Sequence, residues 1–229
     1  IKITSAVWGS DCPLLVEAAE CEGITLSVTA THEIKDPEVQ DKFLAAQHDA
    51  DILLLHPSMD AVWDEIIPQL RQDIPLISFG YNQDFWTISN VPTRTVATVS
   101  AYMINGGKEN FRRMIRYLRS IKENRGEEPE PPVLLPWEGI YHLEHHGPFA
   151  DLVSYRTWRP RRHSNLVGIV FSRTYWANGD LRVVDALIRR IEEFADVTAI
   201  FCLSHGDTEL GARPGLQVKI GRASCRERV

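Results

Sequence analysis

The chain has 229 residues, 44% of them hydrophobic and 24% charged, with a formal net charge of −6 and a pI near 5.8. That is the composition of a soluble globular protein of one or two domains, large enough to bury a core without covalent staples. The acidic balance argues against a general nucleic-acid binder, which carries a basic face, and no apolar run reaches the roughly 18–20 residues of a membrane span. The four cysteines, Cys12, Cys21, Cys202 and Cys225, form no CxxC pair and fit neither zinc nor disulfide spacing. A reducing, cytoplasmic compartment is therefore expected, and the opening Ile1-Lys2-Ile3-Thr4 lacks a secretory layout.

In chain order, Lys2 to Val7 alternates polar and apolar as a strand does, and a Gly9-Ser10-Asp11 turn follows. Leu14, Leu15, Ala18 and Ala19 give Cys12 to Glu22 a helical spacing, with Gly23 placed to end the helix. Ile24 to Ala30 reads as a strand, Val39 to Gln47 as a helix, and Asp51 to His56 as a buried parallel strand. Ala61 to Gln72 reads as a helix and Ile74 to Phe79 as a strand. This alternation predicts a doubly wound α/β sheet. A long helical stretch, Val96 to Ile121, breaks at Asn105-Gly106-Gly107. Its second half sets Phe111, Met114, Ile115 and Leu118 against Arg112, Arg113, Arg116 and Arg119. A solvated amphipathic face is the expected reading of those arginines, with an anion- or nucleic-acid-binding helix as the alternative.

Residues 122–135, rich in proline and glutamate, are expected to form an exposed linker. It divides an N-terminal α/β domain, 1–121, from a second unit at 136–219. The second unit opens with an irregular aromatic segment, Pro136 to His142, and a short helix within 149–158. Leu166 to Phe171 is then a strand, Ser172 to Asp180 a polar loop, Leu181 to Phe194 an amphipathic helix and Val197 to Leu203 a strand. The whole reads as two doubly wound, Rossmann-like units with mainly parallel sheets, and ligands bind such sheets beyond the carboxyl ends of their strands. Residues 220–229 change character and resemble a translated sequencing adapter. The chain is therefore expected to be a fragment, and this tail, with Cys225, carries no functional argument.

Three motifs hint at chemistry. His142, Glu144, His145 and His146 are metal-ligand types suited to Co²⁺, although adjacent histidines seldom face one point; His142 and His145 are the candidates, surface histidines the alternative. Ser204-His205-Gly206-Asp207 hints at a hydrolase but lacks the G-x-S-x-G elbow. Gly9-Ser10-Asp11 hints at a nucleotide loop but carries neither G-x-G-x-x-G nor a Walker lysine.

The run from Val167 through Phe171-Ser172-Arg173-Thr174-Tyr175-Trp176-Ala177-Asn178-Gly179, followed by Val184-Asp185-Ala186-Leu187-Ile188, resembles the CobN/magnesium-chelatase H subunit family. Gly106-Gly107-Lys108-Glu109-Asn110 and Pro136-Trp137-Glu138-Gly139-Ile140-Tyr141-His142 resemble it in the same order, and the likeness is closest to the cobaltochelatase branch. The resemblance implies the large tetrapyrrole-binding subunit of an ATP-dependent chelatase. The substrates would be Co²⁺ and hydrogenobyrinic acid a,c-diamide, on the way to cobalamin, or alternatively Mg²⁺ and protoporphyrin IX. It implies AAA+ partner subunits, CobS/CobT-like or ChlI/ChlD-like, that hydrolyse the ATP, and catalytic residues outside this chain. On this reading Arg173 pairs with a tetrapyrrole carboxylate, Tyr175 and Trp176 stack on the macrocycle, and Asn178 with Gly179 turns the backbone toward it. The alternatives are that Trp176 plugs the loop onto its sheet and that Arg173 bridges to Asp180 or Asp185. Asp180 is expected to cap the next helix. A non-catalytic α/β ligand-binding module is the reading from a different class.

Overall fold

A computed structural model describes residues 1–80, 82–126 and 128–203. Ser204, His205 and the 220–229 tail lie outside them. The described residues form two compact units, one of residues 1–135 and 177–179, the other of 136–176 and 180–203.

Unit 1 carries a four-stranded sheet of β1 (Lys2–Val7), β2 (Thr25–Ala30), β3 (Ile52–Leu55) and β4 (Leu76–Ser78). Its order is β2-β1-β3-β4 and every pairing is parallel, from Lys2 opposite Thr25 to Leu55 opposite Ser78. Both faces are covered, so β3 is buried at all four positions. On one face Ile3, Val7, Leu54 and Phe79 pack under α1 (Cys12–Cys21), α4 (Thr93–Asn105) and α5 (Lys108–Lys122). On the other, Ala6, Leu53 and Leu55 pack against Phe43 of α2 (Pro37–Ala46) and Trp63 of α3 (Val62–Ile66).

Local chemistry fixes the ends. Gly23 takes φ +64°, and the N–H groups of Gly23 and Ile24 close on the carbonyls of Glu20 and Ala19, ending α1 as anticipated. Asp36 caps α2 by accepting from the Glu38 N–H at 2.9 Å, with Pro37 at the first helical position. The helix anticipated over 61–72 stops at Ile66, because Pro68 forces a 3-10 turn over Ile67–Gln69.

The arginine face of α5 is the half-exposed side of an amphipathic helix, and its cations are engaged in ion pairs. Arg112 and Arg116 reach Glu22 at 3.3 and 3.2 Å, and Arg116 also holds Glu130 at 2.8 Å. Arg113 holds Glu109 at 3.0 Å, and Arg119 donates to the Glu22 carbonyl. Glu109 is the i,i+4 neighbour of Arg113 within α5, but Glu22, just after α1, and Glu130, in the 122–135 segment, are partners that helix periodicity could not reveal. The segment itself is fastened to unit 1: Asn110 exchanges two hydrogen bonds with the Val133 backbone at 2.8 and 2.9 Å, and Tyr102 donates to the Glu130 carbonyl.

Unit 2 carries β5 (Gly139–Tyr141), β6 (Leu166–Ser172) and β7 (Asp196–Cys202) in the order β5-β7-β6. β6 and β7 run parallel, while β5 joins β7 antiparallel. The α/β class holds, but the segment read as irregular contributes an antiparallel strand. Its three residues are too few for a period, and Gly139 is admitted because any Cβ there would lie 2.9 Å from the Phe201 ring. One face of this sheet packs Phe171, Val197 and Phe201 against Val184 and Ile188 of α8 (Arg182–Ile191). The other packs Ile140 and Ile200 against Tyr155 of α6 (Leu152–Trp158). Between β6 and α8, the predicted polar loop is a further helix, α7 (Arg173–Asn178), closed by Gly179 at φ +74° and by the Asp180 N–H on the Tyr175 carbonyl at 3.0 Å.

Candidate functional site

The sequence candidates Arg173, Tyr175, Trp176 and Asn178 all fall on α7, at the carboxyl end of β6. Arg173 is 3% exposed. Its Nε donates to the Pro136 carbonyl at 2.7 Å and its guanidinium lies 4.6 Å from the Trp137 ring centroid. Neither suggested bridge forms: Asp185 accepts from the Tyr141 hydroxyl at 2.7 Å, and Asp180 faces Arg182 at 3.6 Å. Burial, and then the Asp185 bond, raise the tyrosine's pKa. Asp180 also does not cap α8, whose N-cap position is held by Leu181 with no side-chain hydrogen bond. Trp176 stacks flat on Phe201, 4.2 Å between centroids and 2° between planes, so it plugs helix to sheet. Tyr175, 45% exposed, presents its ring outward. Trp137, half-exposed beside Arg173, is the aromatic partner that sequence reading left without a role.

Asn178 belongs to unit 1 and its amide is fully used there. Nδ2 donates to Asp11 Oδ1 at 2.9 Å and to the Ser10 carbonyl at 3.1 Å, while Oδ1 accepts from the Gly107 N–H at 3.2 Å. Gly106 and Gly107 take φ +68° and +83°, and a Cβ on either would press to 3.3 Å or closer on residues 135, 177 or 178. Three motifs far apart in sequence thus meet on one amide. Burial lifts the Asp11 carboxyl to a pKa of about 6 even against the Asn178 bond, and lifts the neighbouring Cys12 thiol to about 11.

That meeting point adjoins the carboxyl ends of β1 and β3, where the sheet order reverses direction. The Trp8 indole N–H donates to His56 Nε2 at 2.8 Å, and the His56 ring leans on Phe79 with 4.7 Å between centroids. Burial lowers the His56 pKa to about 4, so the ring is neutral.

The two metal candidates do not share a point of approach. His142 is fully buried, not a surface residue. Its Nδ1 accepts from the Glu144 N–H at 3.1 Å, which leaves Nε2 to donate to Glu192 at 3.2 Å. His145 bonds the Gly147 carbonyl at 3.0 Å and stacks on Phe149. Among the described residues no three His, Cys, Asp or Glu side chains converge as a metal site would require, and no helix is long and apolar enough to cross a membrane.

Residues 100–219 match the family model described as CobN/Magnesium Chelatase. The chain is 25% identical over 205 residues to the uncharacterized protein MJ1441 of Methanocaldococcus jannaschii, covering 88% of this chain and 15% of that protein. Among solved structures it resembles the catalytic subunit of cobaltochelatase from Mycobacterium tuberculosis, with a TM-score of 0.53 at 19% identity over 91% of this chain and 17% of that one. At that identity the likeness is one of fold. The chain spans about one sixth of the length of these relatives.

Proposed function

This chain belongs to the CobN/magnesium chelatase family, and from that premise we propose that it is part of the tetrapyrrole-binding subunit of an ATP-dependent cobaltochelatase. The subunit inserts Co²⁺ into hydrogenobyrinic acid a,c-diamide in the cytoplasm, and AAA+ partner subunits hydrolyse the ATP. The observation that carries the reading is the family match, which runs from α4 through α7 and β7. The choice of cobalt over magnesium draws on the α7 sequence and on the likeness to a cobaltochelatase subunit. The free thiols of Cys12, Cys21 and Cys202 accord with a reducing compartment.

In this reading Tyr175 offers its exposed ring to the macrocycle. Arg173, buried against Pro136 and Trp137, contributes a positive field beneath that ring toward the substrate's carboxylates. Trp176 holds α7 to the sheet beneath them. Cobalt relay through His142 would require its ring to release both present bonds, so the proposal puts metal insertion outside this chain.

The test is metal insertion by the full-length subunit with its AAA+ partners and ATP, followed by absorbance. Cobalt entering hydrogenobyrinic acid a,c-diamide is the expected result. Magnesium entering protoporphyrin IX would reverse the metal assignment. Insertion of neither metal would overturn the chelatase reading in favour of a non-catalytic binding module. In the active complex, Tyr175→Ala should raise KM for the tetrapyrrole about tenfold, the loss of one stacked ring.

A further inference from the structure

We propose that the carboxyl edge of the unit 1 sheet, between β1 and β3, is a second binding site, for a flat conjugated ring bearing N–H donors, with Trp8 as its stacking face and Asp11 as its acceptor.

In the order β2-β1-β3-β4 the connections leave β1 and β3 in opposite directions, which opens a crevice between the loops that follow them. Trp8 stands on the first loop. Its single polar atom is spent inside on His56, 2.8 Å away, yet the residue remains 44% exposed. An indole fixed at its N–H and open on its ring is a rigid stacking surface with little freedom left to lose. Met59, on the loop after β3, adds an adaptable apolar side chain that is 81% exposed.

Asp11 closes the same turn as Trp8, its N–H on the Trp8 carbonyl at 2.9 Å. It precedes α1 but does not cap it, and it is 9% exposed. Oδ1 takes the Asn178 amide, and among the described residues Oδ2 has no hydrogen-bond partner. A carboxyl so enclosed with one oxygen unused suits a ligand N–H. The Asp11 carboxylate itself stands at the amino end of α1, where a phosphate would otherwise be drawn, and its negative charge repels one there. Asn178 and the Gly106-Gly107 step hold the loop in position before any ligand arrives.

The site rests on the chelatase reading only for the identity of the ring, a tetrapyrrole. The 229-residue chain is titrated with hydrogenobyrinic acid a,c-diamide, protoporphyrin IX and FMN, followed by absorbance, with circular dichroism to verify that each variant folds. One of the two tetrapyrroles should bind and FMN should not. Trp8→Ala should weaken binding about tenfold, Trp8→Phe less because a ring remains, and Asp11→Asn several-fold, while Arg94→Ala, at an exposed ion pair with Glu128, leaves it unchanged. The proposal is overturned if neither tetrapyrrole binds, if FMN binds more tightly than both, or if binding survives Trp8→Ala. Binding lost only in Tyr175→Ala overturns this site while leaving the chelatase reading intact, which stands or falls on metal insertion by the full-length subunit.

Discussion

The two units end their sheets on aromatic side chains used in opposite ways. At the unit 2 edge, Trp176 lies flat on Phe201 and the cation of Arg173 is covered by Trp137, so the aromatic rings stabilise the fold. At the unit 1 edge, Trp8 is pinned by its N–H and left open, and the stabilising contacts are polar, centred on Asn178 and Asp11. Similar α/β edges can therefore be held by stacking, which spends the aromatic surface, or by hydrogen bonds, which leave it available.

The contrast predicts a descending series of effects. Phe201→Ala removes the fully buried ring beneath Trp176 and should cost unit 2 about 3–5 kcal/mol in chemical denaturation; a loss under 1 kcal/mol would show that stacking does not hold this edge.

The next effect is one of pH. Folded Asp11 keeps its proton up to about pH 6, whereas its ordinary value is 3.8, so its contribution to stability falls as pH rises between them. Folded His56 takes a proton only near pH 4, against an ordinary 6.5, so its contribution falls as pH drops through that range. Each is worth about 3 kcal/mol and the two oppose one another, leaving their combined contribution nearly flat between about pH 4 and 6. Asp11→Asn removes one arm. Relative to the wild type, its stability should then fall by about 3 kcal/mol more from pH 6.5 to 4, seen as a thermal midpoint that drops more steeply with acid in the variant.

Asn178→Ala strands the Gly107 N–H and the Ser10 carbonyl and should destabilise unit 1 by about 2 kcal/mol. Hydrogen exchange at Gly107 is the local readout, and unchanged protection there would contradict the keystone role. Arg173→Lys keeps the charge but loses the planar contact with Trp137, a loss of about 1 kcal/mol with a shift in tryptophan emission. The smallest effect belongs to Arg94→Ala, whose ion pair with Glu128 is largely exposed and should be worth under about 0.5 kcal/mol.

Elements with a full period were legible in the sequence: β1, α1, β3, α5 and α8 carry their burial pattern in their own residues, and Gly23 and Gly106-Gly107 mark their ends. Elements set by a neighbour were not. β5 is a strand because β7 supplies its hydrogen bonds, and α7 is a helix although its residues read as a polar loop. Among the candidate residues, chemistry-bearing types were visible but their partners were not. Nothing local to Arg173 names Trp137, nothing local to Asn178 names Asp11, and nothing local to His142 names Glu192, fifty positions away.

What the sequence determined by itself is the α/β class, most of the element order and the family. All three reside in short-range spacing and in contiguous motifs such as Val167 to Trp176. What only the tertiary structure decided is which polar and aromatic groups are spent on the fold and which remain for a ligand. That depends on burial and on partners distant in the chain, because a hydrogen bond or a stacked ring is satisfied by whatever the fold brings within reach, whatever its distance in sequence.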